Sequence, residues 1–198
     1  MKKFILCTMV LLLVLGTTGC KKEKIDITAE NITVNTLLAR PNGELKAATV
    51  EDFNKSYYDV KELKKYIEDQ IDSYNDVTGG KKITVEDVQK INDKAVMILS
   101  YSGMDQYTAF NKVTCAYFTG GDKEIPYTLP ATLLSVKGKT TDTNKVIANE
   151  SLKILIITEP YEVVVEGTIK YYSDNAEYVD KNTIQSAKDG MTIIAYKP

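Results

Sequence analysis

Two pairs of adjacent acids, Glu51 with Asp52 and Glu86 with Asp87, the single interior cysteine Cys115, and the run Gly79-Gly80-Lys81-Lys82 are the residues whose types could do chemistry. Glycoside hydrolysis needs only two carboxyl groups at a set separation, so the acidic pairs are weighed first. Neighbours on an extended strand point to opposite faces, and neither pair is a ready acid and base on one side. The glycine-lysine run lacks the upstream glycine and the following Ser or Thr of a phosphate loop, and it leads into Ile83 to Lys90, which reads as a strand. Asp142 and Asn144 match the first and third positions of a calcium loop, but Val146 and Ile147 stand where an oxygen ligand and a glycine are required. The chain has no histidine, which removes the commonest general base, the commonest metal ligand and the usual catalytic triads. Neither a Gly-x-Ser-x-Gly elbow nor a Ser-x-x-Lys step supplies a serine nucleophile. Cys115, in Val113-Thr114-Cys115-Ala116-Tyr117-Phe118, has no adjacent cation to hold a thiolate and reads as a small apolar residue inside a strand. The sequence therefore predicts no catalytic residue, no cofactor and no metal site.

Binding is easier to support. Thirteen tyrosines and no tryptophan leave phenols for strand faces, and Tyr171, Tyr172, Asp174 and Asn175 combine aromatic surface with hydrogen-bonding groups near a turn. That composition suits contact with a saccharide or a peptide, and cross-strand tyrosine packing around an ordinary turn is the competing reading. A balance of 25 Lys and Arg against 27 Asp and Glu argues against nucleic acid as the partner.

The first residues carry the clearest signal. Lys2 and Lys3 precede the apolar run Phe4 to Leu15, and Gly16-Thr17-Thr18-Gly19-Cys20 follows it. The run is shorter than the ~20 residues that cross a bilayer as a helix, so the segment reads as a signal peptide with its cleavage site. It resembles a bacterial lipoprotein precursor, with Cys20 at the lipidated position, Gly19 before it, and Thr17 in place of the usual leucine. The resemblance implies a signal peptide over 1–19, a diacylglyceryl-modified Cys20 with a tether over 20–30, and one extracytoplasmic domain over 31–198. Two or more acyl chains anchor a protein firmly in a membrane, where one does not. The lysine excess of Lys21-Lys22-Glu23-Lys24 suits an anionic bilayer surface. With Cys7 removed and Cys20 modified, Cys115 has no intrachain disulfide partner.

Behind these residues stands a framework of helices and strands. Alternation in Ile32, Val34, Thr36 and Leu38, then Leu45, Ala47 and Thr49, flanks Pro41-Asn42-Gly43 and predicts a hairpin. Val60, Leu63, Ile67, Ile71 and Tyr74 predict an amphipathic helix over about 60–75, with Asp59 as N-cap, Glu62 as capping-box partner and Tyr58 stapled onto Leu63. Residues 83–90 and 94–102 form a second hairpin around Asn92-Asp93, its Ala95 to Leu99 run covered on both faces. A short helix covers about 103–111 and leads into the Cys115 strand. Residues 119–147 read as a long connection with one or two extended pieces, of which Tyr127 to Val136 is the better. Residues 152–158, 163–172, 177–179 and 191–196 are β-rich. The order of elements predicts an α+β fold with a mainly antiparallel sheet.

The blocks Glu51 to Asp59, Ala109 to Val113 and Gly167 to Asp174 are similar to segments of uncharacterised lipoproteins of low-GC Gram-positive bacteria. One arginine, Arg40, against 24 lysines fits an AT-rich genome of that kind. This likeness implies location and no chemistry. The expected function is a lipid-anchored, non-catalytic binding or structural module at the cell envelope, with a wall saccharide, a peptide or an envelope protein as partner. A carboxylate-dependent envelope hydrolase and an accessory subunit of a membrane complex are the alternatives.

Overall fold

The structure, a computed structural model, describes residues 25–122 and 125–198. The expected signal peptide, Cys20 and the start of the tether lie outside the described residues. The fold is α+β, with its strands in two mostly antiparallel sheets rather than one. The first half of the chain builds β1 (Thr36–Ala39), β2 (Leu45–Asp52), α1 (Val60–Thr78), β3 (Ile83–Ile91), β4 (Lys94–Tyr101), α2 (Met104–Asn111) and β5 (Cys115–Thr119). The second builds β6 (Thr132–Ser135), β7 (Thr140–Asp142), α3 (Thr143–Ile147), β8 (Lys153–Ile157), β9 (Glu162–Val165), β10 (Thr168–Tyr172), β11 (Glu177–Tyr178), β12 (Thr183–Gln185) and β13 (Thr192–Lys197). A seven-stranded sheet runs β11-β12-β9-β1-β2-β4-β3, and a six-stranded sheet runs β5-β8-β13-β10-β6-β7. Among the described residues, only β1 and β9 pair in parallel.

Both predicted hairpins form, and their turns explain themselves. Gly43 closes the first at φ 89, and Asn92 takes φ 54 in the second, a conformation that asparagine tolerates better than most residues. α1 begins where its cap predicts. Asp59 accepts from the backbone N–H groups of Lys61 at 2.6 Å and Glu62 at 3.3 Å, so two donors at the helix start are satisfied. The helix continues to Thr78, beyond the apolar stripe, because Asn75 stitches its last turn to the next strand. The Asn75 side chain accepts from the N–H groups of Lys82 and Ile83 and donates to the Ile83 carbonyl. Gly79, at φ 75, then ends it.

Alternation decides which face each side chain serves. On β8, Leu155 and Ile157 face the seven-stranded sheet, while Ile154 and Ile156 face outward, and all four are fully buried. β4 divides likewise, with Leu99 and Tyr101 inward and Val96 and Ile98 outward. The inner faces of both sheets share one core, which α1 and α2 enlarge with Ile67, Ile71, Met104 and Tyr107. Each outer face has its own cover. The segment Ile25 to Ile32 lies over Leu38, Ala48, Val96 and Ile98, and Ile125 to Leu129 with Val146 of α3 lies over Ile154, Ile156 and Ile193. A fully buried isoleucine or leucine contributes about 1.5–3 kcal/mol relative to its exposed state.

Two parts of the reading need correction. Residues 163–172, expected as one β-rich stretch, divide into β9 and β10, which belong to different sheets. The long connection over 119–147 contains β7 and α3, with Asp142 capping α3 through the N–H of Asn144 at 2.8 Å. Tyr58, just before the helix cap, stacks on Phe53 with ring centroids 4.8 Å apart. The division of 163–172 turns on Gly167. A Cβ there stands 2.5 Å from the Lys197 carbonyl oxygen and 2.6 Å from Tyr196 Cδ2, so only glycine lets the chain cross from sheet to sheet against β13. Gly167→Ala is expected to destabilise the domain by about 1–3 kcal/mol through overpacking, read as a lowered urea midpoint with an unchanged slope.

Candidate functional site

Most of both sheet faces is covered, and accessible surface for a ligand concentrates toward strand ends, where Lys46, Thr84 and Ser100 of the outer face of the seven-stranded sheet stay open, and on the exposed flank of α1. At one end of the seven-stranded sheet, β2 delivers Phe53 and the β3–β4 hairpin closes beside it, with the Phe53 N–H donating to the Asp93 carbonyl at 2.6 Å. A turn from Lys55 to Tyr58 then leads into the α1 cap. Phe53 is 8% exposed and anchors the group. Tyr58 stacks on it, and Tyr57 meets Tyr58 edge to face at 5.0 Å with an interplanar angle of 75°. Lys90 Nζ lies 5.7 Å from the Phe53 centroid. Tyr58 is 41% exposed and Tyr57 75%, so a ring fixed from beneath presents a second ring to solvent. Asp52 pairs with Lys94 at 2.6 Å on the same end, and the hydrogen bond from Lys94 holds the Asp52 carboxyl below its ordinary value. Such an arrangement offers an aromatic platform with polar neighbours, suited to stacking against a flat apolar ligand face.

The opposite end of the same sheet is charged. Asp26 accepts from Lys46 at 2.7 Å and Arg40 at 3.4 Å, and Arg40 reaches Glu166 at 3.3 Å. The side chains of Arg40 and Lys46 are each only 13% exposed. Partial burial opposes ionisation of Asp26, but the bonds from Lys46 and the Ile27 N–H, with the charges of Lys46 and Arg40, outweigh it and lower its pKa. A groove of about 420 Å³ opens here, with Lys81, Lys82 and Ser102 on its wall.

The four residues predicted to bind a ligand do not share one surface. A bulge between Ile169 and Tyr171 shifts the β10 register by one residue. Tyr171 therefore joins the outer cluster of the six-stranded sheet, while Tyr172 faces the central core and stacks on Tyr178 at 5.9 Å. Asp174 and Asn175 are exposed in the turn that follows, where the Asn175 amide donates to the Met191 carbonyl at 3.1 Å. The sequence reading missed Phe53 as the buried base of this group and Tyr57 as its exposed ring. Its available signal was the aromatic run before the Asp59 cap, which it assigned to helix initiation alone.

The other chemistry-bearing residues have structural partners or poor reach. Glu51 and Asp52 occupy successive positions of β2, and Glu86 sits at the β3 bulge beside Asp87, which pairs with Gln89 at 2.7 Å. Among the described residues no group of three or more Cys, Asp or Glu gathers at metal-binding distance. No helix among them is long and apolar enough to cross a membrane. Cys115 is buried, and burial, helped by the charge of Glu159, pushes its thiol up. Compared with protein-family models, curated proteins and solved structures, the chain matches none of them.

Burial also governs the interior phenols. It raises Tyr101 from 10.0 to about 12, with the Asn111 amide bond at 3.1 Å working the other way, and it raises Tyr107 and Tyr196 as well. A folded-state pKa above the unfolded value means that the native state holds its proton longer. The associated stability is present in full below the unfolded value of 10.0 and is lost as pH rises through about 12. The urea midpoint is expected to fall steeply above about pH 10, and Tyr101→Phe to flatten part of that fall. In the same range of measurements, iodoacetamide at mildly alkaline pH should modify the Cys115 peptide only after denaturation, as read by mass spectrometry.

Proposed function

We propose that this chain is a lipid-anchored binding module on the extracytoplasmic face of a bacterial cell membrane. The observation that carries the reading is the ordered succession of Lys2-Lys3, the apolar run to Leu15, and Gly16-Thr17-Thr18-Gly19-Cys20. Support for binding comes from the fold. A domain with this much buried surface spends few large side chains on solvent, and Tyr57 at 75% exposure is held there by a stacked partner rather than left on a mobile loop. An exposed ring on a fixed base loses little conformational entropy on contact, which favours binding to a saccharide or peptide of the envelope. The residues with which it would act are Phe53, Tyr57 and Tyr58.

Anchoring has a direct test. Cys20→Ser is expected to abolish incorporation of radiolabelled palmitate and to move the protein out of the membrane fraction or leave it as unprocessed precursor. Equal labelling of variant and wild type sinks the anchoring. The binding face has its own. Tyr57→Ala should weaken retention on purified wall saccharide or wall peptide by about two- to tenfold, the range expected for one aromatic contact, while leaving the unfolding midpoint unchanged.

A further inference from the structure

The chain enters the described structure at Ile25, and the place where it enters is fixed. Ile25 packs on the outer cluster of the seven-stranded sheet, and Asp26 is clamped by Lys46 near the start of β2 and by Arg40 just past the end of β1. Ile83, which opens β3, and Tyr101, which closes β4, pair with each other at this same end. Lys81 and Lys82 precede β3 on the wall of the groove there. The aromatic platform lies at the other end of β2, whose eight residues span about 26 Å at ~3.3 Å each.

We infer that the groove end of the seven-stranded sheet rests against the bilayer and contacts anionic lipid headgroups through Lys81 and Lys82, turning Phe53, Tyr57 and Tyr58 outward. The inference rests on the lipid anchor at Cys20. Cys20 and Ile25 are five residues apart in sequence, so the chain between them reaches at most about 18 Å even when fully extended. That reach is less than the length of β2, and the anchor therefore brings the groove end down first. Charge acts in the same sense. Asp26 is already matched by Lys46 and Arg40, and neither Lys81 nor Lys82 has a salt-bridge partner among the described residues. Glu44 and Glu86 also line the groove and, with Asp26 and the Glu166 that Arg40 reaches, balance its four cations, so the positive charge at this end comes from the tether, where Lys21, Lys22 and Lys24 outnumber Glu23. A lysine-rich tether beside two lysines without a salt-bridge partner is drawn to an anionic surface, and the attraction fades with salt. At the far end, Glu51, Asp52, Asp59, Glu62 and Asp93 are nearly balanced by Lys55, Lys61, Lys90 and Lys94, so that end has no comparable pull.

The test uses the lipidated protein reconstituted into vesicles of phosphatidylglycerol and phosphatidylcholine. One fluorophore is placed at Ser102→Cys and, in a separate protein, at Tyr57→Cys; the buried Cys115 stays unlabelled. A quencher attached to lipid headgroups is expected to reduce emission at 102 several-fold more than at 57, and K81Q/K82Q or replacement of the anionic lipid should shrink that difference. Equal quenching at both positions on vesicle-bound protein overturns the orientation while leaving the anchor intact. A difference unmoved by K81Q/K82Q and by lipid composition overturns the headgroup contact. Protein that fails to sediment with the vesicles overturns the anchor, and the orientation with it.

Discussion

Everything in this molecule follows from having two sheets that are apolar on both faces. A single sandwich core serves one face of each, through Leu155, Ile157, Ile194 and Tyr196 against Leu37, Ala47, Leu99 and Val163. The outer faces must then be covered by whatever chain remains. Ile25 to Ile32 covers one, and Ile125 to Leu129 with α3 covers the other. The covering segments are short and irregular because their task is to exclude water, not to extend a ladder. Burying most of both faces leaves surface with chemical character toward the strand ends, where outward-facing Lys46, Thr84 and Ser100 open into the groove.

The two ends of the seven-stranded sheet have different physics. One holds ion pairs whose cations are largely shielded from water, with Arg40 shared between Asp26 and Glu166 and Lys46 on Asp26. Shielded and multiply bonded, these pairs resist salt better than the exposed Lys64–Glu68 and Lys65–Asp69 pairs of α1, and they fix where the N-terminal segment joins the domain. The other end places a buried ring beneath two exposed ones. The first arrangement controls position, and the second offers contact. Both arise from loops that the sheet brings to a common level, not from any local motif.

The candidate site was only partly legible. Tyr171 and Tyr172 are adjacent in a strand, so alternation alone sets their rings apart, yet regular alternation puts Tyr171 beside Ile169 on the core side. The bulge reverses that, and a one-residue slip is invisible in a short strand with apolar residues on both sides. From the sequence Tyr58 reads as a staple beside a helix cap, and Tyr57 has no assigned role. Their role as a platform depends on Phe53, five residues before Tyr58, being fixed by the β3–β4 turn some forty residues further along the chain.

Local chemistry was enough to determine the hairpins at Gly43 and Asn92, the cap at Asp59, the inward stripe of α1, the interior place of Cys115 and the α+β class. Each depends on residues within a turn or two of one another, where backbone preference and alternation act directly. Only the tertiary structure decided that the strands divide into two sheets, that Gly167 carries the chain between them, that β1 and β9 pair in parallel, and that α3 exists. Those outcomes depend on contacts between residues far apart in sequence, and the free energy that selects among them is burial shared by whole faces, which no local window of sequence contains.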